Sequence, residues 1–315
     1  MNRHVCIYLF VFIIATLSNA DTVVLRNDTT NLQGEILSGS INGLRLENTS
    51  FEIGSVLIPW STIKSYTTNK PRPSLVAFLK TGDELWRAKH RLLRGDVRMA
   101  QHVFASALPL YLHSQSSDAQ LVLEGALRCA LSQGNVEEAV DPWLALAQIP
   151  IDVRINPFQN LTPVLDPTTM LCPHLPLVPS VRAALTSERL AAFRAVSKQD
   201  KNEFLDTILA LIDGQEKQPL LFTDFSSLPQ WQQIWIQYFI GISLLEKPNN
   251  ADQRIQGKLS LAKVASLPQE TMPWLSGSAL LKLSQAFSQE GNDETAEKLM
   301  YEVQRRYPSH PLLKN

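Results

Sequence analysis

GDVRMA at residues 95–100 returns as GNVEEA at 134–139 and as GNDETA at 291–296. The shared pattern is G-[DN]-x-x-x-A, and each copy lies between two stretches of helical period. Glycine supplies the left-handed C-cap of a first helix. Asp or Asn next to it caps a second helix. The alanine lets the second helix approach the first closely. The pattern therefore predicts helix–turn–helix hairpins. The first two turn glycines are 39 residues apart, a spacing found in helical-pair repeats.

The flanks carry the matching periodicity from about Asp83 onward. Leu85, Ala88, Leu92 and Leu93 share one face, and Met99, Val103 and Ala107, with Ala100 and Phe104 beside them, mark the next helix. Further on, Ser180 or Ser187 caps a helix ending near Val196, and Asp200 to Ile212 follows, stopped by Asp213-Gly214. Pro229, placed early, opens a long helix to Leu245, and Asn250 caps another over Ala251–Leu267. Pro150 to Pro179 interrupts the helices with seven of the chain's 19 prolines, so it is an ordered loop or an insertion.

The residues before the first hairpin have a different period. TVVLR (22–26), LQGEIL (32–37), GLRLE (43–47) and VLIPWSTIKS (56–65) are short alternating runs separated by turn residues. They predict a small barrel or sandwich over about 21–80, with Pro59 at an edge, a bulge or a strand start. Lys70-Pro71-Arg72-Pro73 is a linker signal.

On these residues the helical part resembles tetratricopeptide (TPR) repeats. In Gly277–Leu312, the large and small first-helix packing positions are held by Leu280, Leu283, Ser284 and Phe287. Gly291 holds the turn, Ala296, Met300 and Val303 the second-helix positions, and Pro308 the terminating proline. Ala88, Gly95, Ala100, Phe104 and Ala107 match the first unit in part, and Gly134, Ala139 and Trp143 the second. AEKLMYEVQRRYPSHPLLKN, at the C-terminus, looks like the closing repeats of bacterial envelope TPR proteins, of a planctomycete-like type. The strand order of the first part is similar to that of SH3-like or Sm-like barrels. The resemblance implies degenerate repeats stacked as an α-solenoid, whose first helices line a concave groove.

Composition is that of a globular chain: 315 residues, 44% hydrophobic, 19% charged, net charge −1. Such values exclude intrinsic disorder and a strongly basic nucleic-acid binder. Arg3, the apolar run Val5–Leu17 and Ser18-Asn19-Ala20 form a signal-peptide pattern, with cleavage after Ala20 and export to the periplasm, the cell envelope or the extracellular space. No later stretch is long and apolar enough to span a bilayer. Cys129 and Cys172 then remain, and the sequence leaves both a disulfide and two buried free thiols open.

No catalytic signature stands out. The chain lacks a GxSxG elbow, a P-loop and HExxH, and SxxK at 61–64 falls in strand-like sequence. Cys172-Pro173-His174 and the histidines His90, His102 and His113 lack zinc-ligand spacing. No cofactor or metal is implied. Asn27, Asn48 and Asn160 head formal glycosylation sequons, which matter only in a eukaryotic secretory pathway. Two stripes carry more content. Arg87, Arg91 and Arg94 recur at helical spacing and Arg98 continues them, so that Glu84–Arg98 holds five Lys or Arg against two acids. An arginine stripe can clamp a carboxylate or an acidic segment, against the plainer reading of a solvated face. Trp231, Trp235, Tyr238 and Ile242 form one apolar face, read as core packing.

The expectation is an α+β protein, mainly α. A signal peptide (1–20) precedes a small SH3/Sm-like β domain (21–80), TPR-like hairpins (83–149), a Pro-rich loop (150–179) and a TPR-like helical domain (180–315). Its expected function is that of a non-enzymatic scaffold binding a protein or peptide, with Arg87, Arg91, Arg94 and Arg98 as the partner-binding candidates. Two alternatives remain open. One is an enzyme with a site between the β domain and the helices or under the Pro-rich loop. The other is a small-ligand or glycan-binding β domain on a helical spacer.

Overall fold

A computed structural model describes residues 20–26, 31–47, 54–150, 153–176, 191, 204, 227–246, 250–268 and 271–313. The leader, apart from Ala20, the sequons at Asn27 and Asn48, and nearly all of the two helices expected between 180 and 212 lie outside these residues. The fold is α+β and mainly helical: a five-stranded antiparallel sheet comes first and helices follow. The chain divides into two compact units, Met1–Asp83 and Glu84–Asn315.

The first unit holds β1 (Asp21–Leu25), β2 (Asn31–Ser40), β3 (Gly43–Glu47), β4 (Ser55–Ile58) and β5 (Ile63–Thr67) in the order β4-β3-β2-β1-β5. Val23 faces Leu32 and Tyr66, and Ile36 faces Leu46, which places Val23, Ile36 and Leu46 in one buried layer. β4 and β5 lie at opposite edges, about 19 Å apart in a flat sheet at ~4.8 Å per strand. Only a 310 turn, Trp60–Thr62, and its flanking residues link them. That link extends to well under ~18 Å, so the sheet curls towards itself. Bulges at Val24/Leu25 and Ile36/Ser38 add the necessary twist.

Two details differ from the sequence reading. The single strand expected over 56–65 is two strands, because Pro59 and the 310 turn break it. The helical period also begins earlier than Asp83. Helix α1 spans Pro73–Leu93, so the Lys70–Pro73 stretch is a helix entry and not a free linker. Proline fits the first turn of a helix, where its missing N–H costs nothing. Leu75, Phe78 and Leu79 of this first part pack on the sheet core, with Phe78 stacked 5.5 Å from Trp60. The Trp60 indole N–H donates to the Ser40 carbonyl at 2.6 Å, and Arg26 pairs with Asp83 at 2.8 Å.

The second unit continues α1 and adds α2 (Val97–Tyr111), α3 (Ser117–Gln133), α4 (Val136–Ala147), α5 (Gln230–Glu246), α6 (Ala251–Ala265), α7 (Pro273–Gln289) and α8 (Asp293–Arg306). The three repeated turns separate α1 from α2, α3 from α4 and α7 from α8. Their glycines have φ of 82°, 67° and 77°, the left-handed region where a side chain is strained. The alanines Ala100, Ala139 and Ala296 are all buried. Asp96 and Asn292 cap the following helix by accepting from Met99 and Thr295 N–H, at 3.4 and 3.2 Å. Asn135 does not; its amide donates to Glu138 instead. The buried face of α2 is Ala100, Phe104, Ala107 and Tyr111, and Met99 is exposed.

Residues 164–175 contribute to the helical core, while 153–162 are buried only in part. Phe158, Val164, Leu165, Leu171, Cys172 and Leu175 are buried. The Trp143 indole of α4 donates to the Met170 carbonyl at 3.1 Å, and the Trp235 indole of α5 to the Pro173 carbonyl at 3.2 Å. Among the described residues no helix is long and apolar enough to cross a membrane.

Candidate functional site: a groove on helices α2 to α4

Residues Gln101, Ala105 and Leu108 recur at four and three residues, so they form one row on α2. With Ala126 of α3 and Glu137, Glu138 and Asp141 of α4 they line an open groove of about 310 Å³. Its floor is apolar, from Ala105, Leu108 and Ala126, and its α4 wall carries three carboxylates. Glu137 and Glu138 occupy the first turn of α4, where the helix dipole favours negative charge. A polar chain braces this wall. Gln133 donates to Gln101 at 2.7 Å, Gln101 to Glu138 at 3.1 Å, and Asn135 to the same Glu138 oxygen at 3.3 Å. Glu137 is exposed, so its charge meets the solvent. The acidic run after the turn glycine, GNVEEAVD, was the sequence signal for this wall.

The four arginines do not form one continuous row. Arg87 and Arg91 lie on α1, Arg94 falls in the turn after it, and Arg98 opens α2. Gly95 breaks the helix between them, which resets the direction of successive side chains. Arg87, Arg94 and Arg98 are exposed and Arg91 is half-buried. Arg98 precedes Gln101 by three residues and Ala105 by seven, so it shares the groove-lining face of α2 at its N-terminal end.

The remaining candidates have other roles. Trp235 and Tyr238 are buried, and Trp231 packs edge-on against Trp235 at 5.3 Å, which makes that stripe a core face. The His90 ring bonds to the Trp86 carbonyl at 2.8 Å and lies 4.2 Å from the Trp86 ring. Among the described residues no three His, Cys, Asp or Glu side chains gather as metal ligands. Cys129 and Cys172 are free and buried, and burial pushes both thiols up to about 12. At neutral pH they are protonated and poor nucleophiles. Cys172 also accepts from the His174 and Leu175 backbone amides. Burial, and then the Arg128 charge, hold the His174 ring below its ordinary range.

Beneath the Pro-rich segment, α3 carries a polar row that periodicity alone did not single out: Gln120, Glu124 and Arg128, four residues apart. Glu124 is buried, and burial raises its carboxyl even though Arg128 pulls it down. Arg128 donates to Glu124 Oε1 from Nε at 2.8 Å and from Nη2 at 2.6 Å. Comparison with known proteins returns no matching family model, no matching curated protein and no matching solved structure.

Proposed function

We propose that this chain is a non-enzymatic scaffold or adaptor that binds protein or peptide segments on a TPR-like solenoid of helical hairpins. The signal-peptide pattern of residues 1–20 supports export to the periplasm or cell envelope. The curled five-stranded sheet, with its short β4–β5 link, supports a small SH3- or Sm-like barrel. Three G-[DN]-x-x-x-A turns support stacked hairpins, which bury a shared core and leave extended faces. The groove on α2, α3 and α4 is the observation that carries the binding reading. An apolar floor rewards burial of aliphatic side chains, and a carboxylate wall selects a partner with Lys or Arg among them. The arginines of α1 and of the turn after it are a second reading, favoured by the exposure of Arg87 and Arg94, and would take an acidic segment.

Two labelled peptides separate these readings on the mature chain: an alternating Lys/Leu peptide and its Glu/Leu counterpart, followed by fluorescence anisotropy. The groove reading expects the Lys/Leu peptide to bind and to weaken about tenfold in high salt, where the Debye length shrinks to ~3 Å. Glu137→Lys should weaken it comparably. Preference for the Glu/Leu peptide, lost on Arg87→Glu and Arg91→Glu, would move the site to the arginines. Binding of neither peptide by the folded protein would sink both.

A further inference from the structure

The polar row on α3 is engaged by the chain's own residues 153–162 in the manner of a bound peptide. The Gln120 side-chain amide donates to the Val153 carbonyl at 2.9 Å, and its Oε1 accepts from the Ile155 N–H at 2.6 Å. One side chain thus satisfies a carbonyl and an amide that flank a single residue, as a neighbouring β-strand would. Two turns along the same face, Arg128 donates to the Thr162 carbonyl at 2.6 Å. Glu124 between them fixes the Arg128 guanidinium. Between the two backbone contacts lies one aromatic anchor. Phe158 is fully buried, with the Arg128 guanidinium 5.5 Å from its ring centre and the Phe104 ring edge-on at 6.5 Å. The neighbouring side chains point away: Val153 is 47% exposed and Ile155 43%.

We infer that this face of α3 is a docking site for a turn-forming segment with a buried aromatic residue, occupied in the resting chain by residues 153–162 as a displaceable strap. Its turn is closed by the Leu161 N–H, which donates to the Phe158 carbonyl at 2.8 Å. The chemistry of the partner follows from the strap. Gln120 and Arg128 recognise main-chain groups, which any peptide offers. Selectivity comes from the Phe158 pocket and from the turn that Pro157 opens, in which the Phe158 N–H donates to Asn156 Oδ1 at 3.0 Å. Val153 and Ile155 are exposed, and burial in the strap is confined to Pro157 and Phe158, the pattern of an anchored ligand. Arg154 holds the strap's start by donating to the Leu146, Ala147 and Ile149 carbonyls at the end of α4. Displacement therefore releases the part beyond Arg154 while the chain remains tethered. The inference shares no residue with the α2–α4 groove and does not depend on it.

The test uses the mature chain and a labelled synthetic peptide, VRINPFQNLT, copied from residues 153–162. Phe158→Ala empties the pocket without touching Gln120 or Arg128, and Ile155→Pro removes the amide that Gln120 accepts. Both variants should bind the peptide at least about tenfold tighter than the wild type, whose site is occupied. Adding Gln120→Ala to either variant, or replacing the peptide's Phe by Ala, should abolish binding. Glu137→Lys should leave it unchanged, which separates this site from the groove. Hydrogen exchange on the wild type gives a measurement independent of the variants. The Ile155 amide should open by a local event, at least about a hundredfold faster than the Leu127 amide of α3. Equal protection of Ile155 and Leu127, or no binding by a folded Phe158→Ala chain, would overturn the strap.

Discussion

His310 shows how a buried titratable side chain can set a pH response. Its Nδ1 accepts the Leu312 N–H at 3.3 Å, so the proton sits on Nε2, which donates to the Trp274 carbonyl at 2.9 Å with Ser278 Oγ beside it at 3.2 Å. The ring rests on Gly277, where any Cβ would run into its Cδ2 edge. Burial holds the ring below its ordinary 6.5, against the pull of the Trp274 carbonyl. Protonation would turn Nδ1 into a donor facing the Leu312 N–H. The folded pKa lies below the unfolded one, so the unfolded chain binds more protons as pH falls through about 6.5. Stability is therefore full above that value and declines below it. His174 is shifted in the same direction. Thermal melts should show a falling Tm between pH 7 and 5, a shallower fall in His310→Gln, and little fall in the His174→Asn/His310→Gln pair. An unchanged slope in the pair would place the pH response on other groups.

Turns and helix faces carry the next level of specificity. The hexapeptide turns were legible because their requirements are local: a left-handed glycine, a small buried residue five positions after it, and an acid or amide at the cap. The face of α2 was legible only to within one residue. Met99 is the more hydrophobic side chain, yet Ala100 is the one buried, because close approach of helices rewards a small residue there. The two glycines of the α5–α6 pair have a packing role that no local pattern revealed. A Cβ on Gly241 would stand 2.8 Å from Leu261, and one on Gly257 would stand 3.1 Å from the Gly241 carbonyl. Gly95, by contrast, has open space around it and only its φ to protect. Denaturant unfolding should therefore separate them. Gly95→Ala should cost about 1 kcal/mol of backbone strain. Gly241→Val should cost at least as much again, roughly 1–3 kcal/mol, from overpacking. A cost for Gly95→Ala that exceeded Gly241→Val would contradict both assignments.

Across the molecule, the feature least legible in the sequence is where the Pro-rich segment's backbone finds its partners. Seven prolines in 30 residues argue against a helix, and among the described residues 153–176 no α-helix forms. Periodicity has no means of saying which distant side chains satisfy the carbonyls of irregular backbone, yet a buried segment must satisfy them. The partners proved to be long polar or indole side chains far along the chain: Gln120, Arg128, Trp143 and Trp235, the last separated from Pro173 by 62 positions. The candidate groove has the opposite character. Its acids follow directly on a turn and are visible as charge in the sequence, but periodicity does not show that they face Ala105 and Leu108 of α2. A consequence follows for the second unit. If Trp143 and Trp235 join the segment to α4 and α5 through their indole N–H groups, their role is polar as well as apolar. Trp235→Phe removes the donor and strands the Pro173 carbonyl, at a cost of about 1–3 kcal/mol. Trp235→Ala adds a cavity beside Phe204 and Trp231, for about 3–5 kcal/mol. The diagnostic readout is where protection is lost in hydrogen exchange. Trp235→Phe should loosen residues 171–175 while leaving α7 and α8 protected. Uniform loss over the whole unit would mean that the indole bond has no local task, and that the segment is held by apolar burial alone.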